Sequence, residues 1–154
     1  MLEIIGIKDA EVAEEVWALQ HAAYRVEATL IGVADLPPLQ DTVESLRQSR
    51  ETFCAIRGPE GDLQGVIAYE QEREGRYVIC RVMVNPDHFR QGVGSRLLSH
   101  LLDVFPGAHW SVTAEARNLP ALALYEKAGF KRLGAFRPAP GITLIRLERG
   151  VSPS

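Results

Sequence analysis

The chain has 154 residues, of which 46% are hydrophobic and 24% charged, and its formal net charge is −3. This length suits one domain with a substantial core, and the negative charge argues against a nucleic-acid partner, which requires a clustered positive field. No segment approaches the roughly eighteen apolar residues of a membrane span, and the N-terminus lacks a signal-peptide layout, so we expect a cytoplasmic protein.

The first forty residues predict a strand, a helix and an irregular segment. Residues 2–7 form a short strand-like run, and apolar side chains recur at helical spacing from Asp9 to about Ala23. Residues 24–40 lose this periodicity, and two adjacent prolines argue against a helix there. We therefore expect this segment to be irregular.

The middle of the chain predicts a second helix followed by strands. Asp41 and Glu44 have capping-box spacing, which predicts a helix through about Arg50. Cys54 and Cys80 fall in strand-like runs without metal or redox spacing, and we expect both to be buried free thiols. Three strands joined by hairpin turns are predicted at residues 52–57, 63–71 and 77–84.

A glycine-containing turn follows the third of these strands and carries the first functional signal. Gly92 and Gly94 allow a tight turn with accessible backbone amides, and a helix begins directly after them. The first amides of a helix are unpaired and lie at its positive end, which suits a phosphate or pyrophosphate. An ordinary strand-to-helix turn is the alternative. A P-loop is a poor fit, because Ser95-Arg96 stands where that motif needs Lys-Ser or Lys-Thr. A dinucleotide fingerprint is also a poor fit, because Leu97 stands where it needs a third glycine.

The last third of the chain predicts a strand, a helix and a final hairpin. The strand covers 109–114, Asn118 caps the helix, Gly129 is its expected C-cap, and the hairpin strands cover 131–136 and 142–148. Hairpins flanked by four helices predict a single α+β domain over residues 1–154, with a frayed tail at 150–154.

Asn118 and Tyr125 provide a second functional signal. They are seven residues apart on the predicted helix, which is two turns, so both face the same side. Tyr125 could equally be a core aromatic residue whose hydroxyl is satisfied locally.

The glycine turn and this helix together resemble the GCN5-related N-acetyltransferase family. The resemblance rests on Val84-Asn85-Pro86 before Gly92-Val93-Gly94, and on Asn118 followed by Tyr125-Glu126-Lys127-Ala128-Gly129-Phe130. The order of elements matches over nearly the whole chain. The resemblance implies the acyl-CoA N-acyltransferase fold, with a mixed, mostly antiparallel central sheet flanked by about four helices. It also implies acetyl-CoA as the acyl donor, without a metal.

The resemblance further implies which residues bind acetyl-CoA. The strand ending at Val84 and its neighbour would splay apart, and the pantetheine arm would lie between them. Asn118 would help to hold that arm, and Tyr125 would protonate the departing thiolate. The remaining implied contacts are Val82, Met83 and Val84 for pantetheine, and Phe89, Arg90, Gln91, Gly92, Val93, Gly94 and Ser95 for the pyrophosphate. Phe89 departs from the family, which usually has Gln or Arg at that position.

The general base is less defined by the sequence. A base is expected because an attacking amine must be neutral, whereas a free lysine has a pKa of about 10.4. Some relatives carry a glutamate where Thr113 stands. Glu70, Glu72 and Glu115 are candidates at strand ends, and solvated surface carboxylates are the alternative for each. In the irregular segment, Arg25 and Glu27 could orient a charged acceptor or simply be solvated.

The sequence therefore predicts an N-acetyltransferase that acts on a primary amine of a small molecule, peptide or protein. A non-catalytic acyl-CoA-binding sensor or docking module is the alternative, and a scaffold without affinity for coenzyme A is a third possibility. A homodimer is expected only because homodimers are the commonest soluble assembly.

Overall fold

A computed structural model describes residues 2–33 and 36–150, so the predicted tail beyond Gly150 lies outside the described residues. The described chain forms one sheet of seven strands with four α-helices. The strands are β1 (Leu2–Ile5), β2 (Thr52–Arg57), β3 (Leu63–Arg73), β4 (Arg76–Val84), β5 (His109–Glu115), β6 (Lys131–Ala139) and β7 (Ile142–Arg149). The helices are α1 (Ala10–Ile31), α2 (Val43–Arg47), α3 (Val93–Val104) and α4 (Leu119–Lys127), with short 3-10 helices at Pro37–Gln40 and Pro86–His88.

The sheet is mixed and mostly antiparallel, as predicted. Its strand order is β1-β2-β3-β4-β5-β7-β6, and the β4–β5 pair is parallel while the other described pairs are antiparallel. Helices α1 and α2 pack on one face, and α3 and α4 pack on the other. Neighbouring residues of β3 show why both faces are apolar: Ile67 packs with the α3 face and Val66 with the α1 face, and both are fully buried.

Helix α3 lies unusually close to the sheet at Gly65. A Cβ atom at this position would stand 2.7 Å from Val93 Cγ1, 2.8 Å from Leu97 Cδ1 and 3.0 Å from the carbonyl oxygen of Met83. Only glycine permits this approach, which seats the N-terminal turn of α3 directly against β3 and β4.

The central strands β4 and β5 separate after a short stretch of pairing. Their paired residues are Arg76 with His109, Tyr77 with Trp110, and Val78 with Ser111. Beyond Val78 the two strands continue without pairing to each other in the described structure. On the other edge of β4, Ala68 pairs with Arg81 and Tyr69 with Ile79, so Cys80 is the extra residue of a bulge.

Two predictions for the first forty residues are wrong. Helix α1 does not end near Ala23 but continues to Ile31, because Ala28 and Ile31 bury their side chains against Leu36. The two prolines that argued against a helix instead begin the 3-10 helix at Pro37–Gln40.

The start of α2 also differs from the prediction. The capping box is formed by Thr42 and Ser45, one residue after the predicted pair, and the helix ends at Arg47. Of the two cysteines predicted to be buried, Cys54 is buried but Cys80 is exposed at the bulge. At the end of α4, Ala128 is the C-cap and Gly129, with φ of +97°, follows it.

Replacing Gly65 with alanine should destabilise the fold by about 1–3 kcal/mol, because the added methyl group meets the backbone oxygen of Met83 as well as two side chains. Urea denaturation followed by circular dichroism measures this loss. The matched control is Gly134→Ala in β6, where a Cβ atom meets nothing within 4 Å. The control should change stability by less than about 0.5 kcal/mol, and equal effects of the two substitutions would contradict the close approach of α3.

Candidate active site

The N-terminus of α3 presents free backbone amides beside the end of β4. Gly92 is its N-cap residue, with φ of +76°, and no side chain in the described structure caps the helix. Arg90 also has a positive φ, of +65°, so the turn contains two left-handed residues in close succession. This arrangement directs main-chain N–H groups outward, and it suits an anion.

Gly94 places this turn between β4 and α4. A Cβ atom there would lie 3.4 Å from Leu124 Cδ2 of α4 and 3.7 Å from Val84 Cγ2 of β4. The predicted phosphate-binding turn and the predicted pantetheine-binding strand end are therefore adjacent. Phe89 is 41% exposed on this turn and has no side-chain donor to offer an anion.

Among the residues that the structure describes, the gap between β4 and β5 leaves one edge of β4 without strand partners. From Ile79 to Val84 the strand pairs with β3 on one side, whereas pairing to β5 has ended at Val78. Main-chain groups of Val82, Met83 and Val84 lie on this stretch. Because backbone N–H and C=O groups need partners, this edge can hydrogen-bond an extended ligand.

Asn118 and Tyr125 lie at the two ends of α4. Asn118 is the N-cap residue, and its Oδ1 accepts from the Ala121 N–H at 3.2 Å. Tyr125 is 5% exposed, and its ring centroid is 5.8 Å from that of Phe130. Burial, together with the negative charge of Glu27, raises the pKa of Tyr125 above that of a free phenol. Tyr125 is therefore protonated at neutral pH.

Glu27 joins this group from the far end of α1. Asn118 Nδ2 donates a hydrogen bond to Glu27 Oε1, so one side chain connects α1 with α4. Burial raises the pKa of Glu27, the hydrogen bond from Asn118 opposes that rise, and the charge of Glu115 adds to it. Tyr24, one helical turn before Glu27, has its pKa raised by burial and by the charge of Glu27.

Arg81 organises a polar network at the bulge of β4. Its guanidinium donates to both carboxylate oxygens of Glu51, at 2.8 and 2.9 Å, and to Asp41 and Gln20, each at 2.8 Å. Gln20 Nε2 in turn donates to Asp41 at 2.8 Å, and Trp17 Nε1 donates to the Asp41 carbonyl oxygen at 2.8 Å. These bonds attach α1 and the segment before α2 to the sheet.

Of the carboxylates predicted as bases, Glu115 is buried and hydrogen-bonded to other residues of the chain. It is 5% exposed and accepts hydrogen bonds from the Arg117 side chain, from the Arg117 N–H and from the Thr143 N–H. The bonds from Arg117 lower the pKa of Glu115 to about 2. A carboxylate held so firmly in its charged form accepts a proton poorly, so this geometry suits a structural role for Glu115 rather than the predicted base.

Glu70 lies in different surroundings. It is opposite Val78, where β4 is still paired with β5, on the exposed end of β3 that also carries Glu72. Glu70 lines a cavity of about 480 Å³ with Tyr69, Tyr77 and Phe105, and the lining of this cavity includes neither Asn118 nor Tyr125. The structure thus brings Glu27, Asn118 and Tyr125 together without Glu70.

Tyr24 and the Arg81 network were not predicted from the sequence, and Glu27 was predicted to lie in an irregular segment. Extending the helical spacing of α1 through Ala28 and Ile31 would have placed Tyr24 and Glu27 on one helix face. In the described ranges no cluster of three His, Cys, Asp or Glu side chains has the arrangement of a metal site. No helix of residues 2–33 and 36–150 has the length and apolar character needed to cross a membrane.

Residues 13–130 match the acetyltransferase (GNAT) family, and the chain belongs to this family. Its fold is that of the ribosomal-protein-S18-alanine N-acetyltransferase from Escherichia coli, with a TM-score of 0.75 and 20% identity over 100% of this chain and 96% of that one. An acetyltransferase from Thermus thermophilus also has a TM-score of 0.75, with 18% identity over 98% of this chain and 97% of that one. The predicted family and fold are therefore confirmed.

Two of the relatives with a similar sequence match different shares of this chain. The UPF0157 protein YqkA of Bacillus subtilis (strain 168) is 39% identical over 146 residues, which cover 94% of this chain and 42% of YqkA. The N-alpha-acetyltransferase RimI of Mycobacterium tuberculosis (strain ATCC 25618 / H37Rv) is 38% identical over 61 residues, which cover 40% of this chain and 39% of RimI. The match thus spans about two fifths of the length of each relative.

Replacing Glu115 with glutamine should destabilise the fold at pH 7 by about 2 kcal/mol, because several hydrogen bonds lose their charged acceptor. The folded-state pKa of Glu115 is lowered from 4.5 to about 2, so its stabilisation is complete above pH 4.5 and is lost as the pH falls towards 2. At low pH the free energies of unfolding of the wild-type protein and of Glu115→Gln should therefore approach each other. Urea denaturation of both proteins between pH 2 and 7 measures this. A difference that is constant across this range would contradict the assigned contacts.

Proposed function

We propose that this chain transfers an acetyl group from acetyl-CoA to a primary amine of a small molecule, peptide or protein. The observation that carries the proposal is the unpaired gap between β4 and β5, with the uncapped N-terminus of α3 beside one end. Family membership supports the acyltransferase class. The proposal concerns this domain, because the match with YqkA covers 94% of this chain but only 42% of YqkA.

The residues around the gap fit acetyl-CoA. The turn from Phe89 to Ser95 would hold the diphosphate through main-chain N–H groups, and Arg90 is the cationic side chain on that turn. The free edge of β4 at Val82, Met83 and Val84 would bind the pantetheine arm. When bound, acetyl-CoA supplies a thioester whose acetyl carbon is open to attack by an amine.

Tyr125 is the proposed general acid. Its buried phenol is held protonated, so Oη can supply a proton to the leaving sulfur. A backbone N–H on the free edge of β4 is the proposed donor to the carbonyl oxygen, because it is fixed in direction by the pairing of β4 with β3.

A non-catalytic acyl-CoA-binding module is the second candidate, and Phe89 is the residue that favours it. Its side chain cannot replace the phosphate-binding Gln or Arg, which reduces the number of donors on the turn. Release of free thiol from acetyl-CoA in the presence of primary amines distinguishes the two functions. Coenzyme A binding without amine-dependent thiol release would support the module.

Replacing Tyr125 with phenylalanine should lower kcat by about 100-fold or more, because the proton donor to the leaving sulfur is removed. Affinity for coenzyme A, measured by calorimetry, should change little. The matched control is Tyr77→Phe, since Tyr77 stacks on Trp110 at 4.9 Å, where β4 and β5 are still paired. Wild-type kcat in the Tyr125 variant would remove its proposed role.

Replacing Gly92 with alanine should weaken coenzyme A binding about five- to tenfold, because a left-handed alanine costs about 1–2 kcal/mol and the turn would relax away from its binding conformation. Gly107→Ala is a matched control. Gly107 has φ of +80° and, as at Gly92, an added Cβ atom would meet nothing within 4 Å, but Gly107 follows the other end of α3. Both variants should lose similar stability, and only Gly92→Ala should lose affinity. Equal affinities in calorimetry would contradict the phosphate-binding turn.

A further inference from the structure

We propose that Glu27 accepts the proton of the incoming amine, that Asn118 positions Glu27 for this task, and that the acceptor binds as a cationic ammonium. This inference rests on the proposed acetyltransferase function and concerns the acceptor side of the same site.

The position of Glu27 is fixed by one hydrogen bond. Asn118 Nδ2 donates to Glu27 Oε1, while Asn118 Oδ1 accepts from the Ala121 N–H at 3.2 Å. Asn118 is buried, and its amide is held at both ends, so it can hold the carboxylate in one orientation. Glu27 Oε2 has no hydrogen-bond donor among the residues that the structure describes. That oxygen is therefore available to an acceptor.

The charges around Glu27 favour a cation at this position. The half-buried carboxylate has no salt bridge within the described chain. The nearby groups on the other elements are the phenol of Tyr125 and the carboxylate of Glu115, which is itself paired with Arg117. On α1 itself, Tyr24 lies one helical turn before Glu27. The charge of Arg81 lowers the pKa of Tyr24 and the charge of Glu51 raises it. The guanidinium of Arg81 is already bound to Glu51 and Asp41. A carboxylate removed from water without a cationic partner is costly, and a bound ammonium would offset that cost.

Glu27 and Tyr125 are electrostatically coupled. Burial is the main cause of the raised pKa of Tyr125, and the charge of Glu27 raises that pKa further. Once Glu27 is protonated its negative charge is gone, and Tyr125 becomes a stronger acid when the sulfur leaves. The two residues would then act in sequence rather than independently.

The proton balance of the transfer is as follows. The ammonium gives one proton to Glu27 Oε2, which frees the nitrogen lone pair. A C–N bond forms to the acetyl carbon while the C–S bond breaks, and the sulfur takes the proton of Tyr125 Oη. The second nitrogen proton, lost as the amide forms, restores the phenol, and the proton on Glu27 passes to solvent.

The test compares Glu27→Gln and Glu27→Asp with the control Glu14→Gln, an exposed glutamate on the same helix. Acetyl-CoA and a set of primary alkylamines and short peptides with free α-amino groups serve as probes, with thiol release followed from pH 5 to 9. Glu27→Gln should lower kcat about 100-fold and abolish the fall of wild-type kcat at low pH. Glu27→Asp should recover part of the rate. Coenzyme A affinity and the activity of Glu14→Gln should remain at wild-type values.

A second readout does not depend on turnover. Carbon-13 NMR of labelled glutamate side chains should show one carboxyl group, absent from Glu27→Gln, that titrates above the ordinary range of glutamate. Asn118→Ala should raise that pKa further, because the carboxylate loses a donor. Wild-type kcat and an unchanged pH profile in Glu27→Gln would overturn the inference while leaving the acetyltransferase function intact. Absence of thiol release by the wild-type protein would overturn both.

Discussion

The parting of β4 and β5 is the constraint on which the proposed site depends. The two strands pair at three positions and then run on as separate strands, which is unusual for neighbours at the centre of a sheet. An unpaired buried edge costs free energy unless water or a ligand satisfies its backbone groups. The fold therefore maintains an unpaired edge in the sheet interior, where another chain cannot add to it as it could to an outer strand. The bulge at Cys80 adds local twist beside the point of separation.

The Arg81 network connects α1 to the sheet beside this gap. Arg81 directly follows the bulge residue, and its bonds reach Gln20 on α1, Asp41 before α2 and Glu51 before β2. Such a largely buried ion network contributes little net stability, since desolvation opposes the attraction, but its geometry is specific. Burial raises the pKa of Asp41, but the hydrogen bonds from Gln20 and Ser45, followed by the charge and hydrogen bond of Arg81, lower it below its ordinary value. We infer that this network fixes the direction of α1 and so the position of Tyr24 and Glu27.

Local sequence signals were sufficient to predict most of the sheet and the two helices nearest the gap. β2 was predicted with its observed bounds, and the cap of α4 at Asn118 was predicted from residue type alone. These features depend on contacts within a few residues, such as the Asn118–Ala121 hydrogen bond.

The second half of α1 depends on a contact beyond the helix itself. Ala28 and Ile31 continue the helical spacing, but they pack against Leu36 in a small separate cluster, next to the prolines that argued for an irregular segment. The roles of Arg81 and Glu27 depend on partners 30 to 91 residues away in the chain, which no local spacing reveals. The one-residue shift of the α2 cap has a related cause, because Asp41 is bound by Arg81 and Gln20.

The carboxylates of Glu115 and Glu27 show how the same chemical group can have its pKa shifted in opposite directions. Glu115 is surrounded by donors from Arg117 and Thr143, which keep it charged and tie the end of β5 to the start of β7. Glu27 receives one donor, has no cationic partner among the described residues, and is opposed by the charge of Glu115. Environments that move two pKa values in opposite directions often separate a structural group from a proton-transferring one. Because Glu115 stays ionised, its charge also favours the protonated form of Glu27, the carboxylate that we propose as the base.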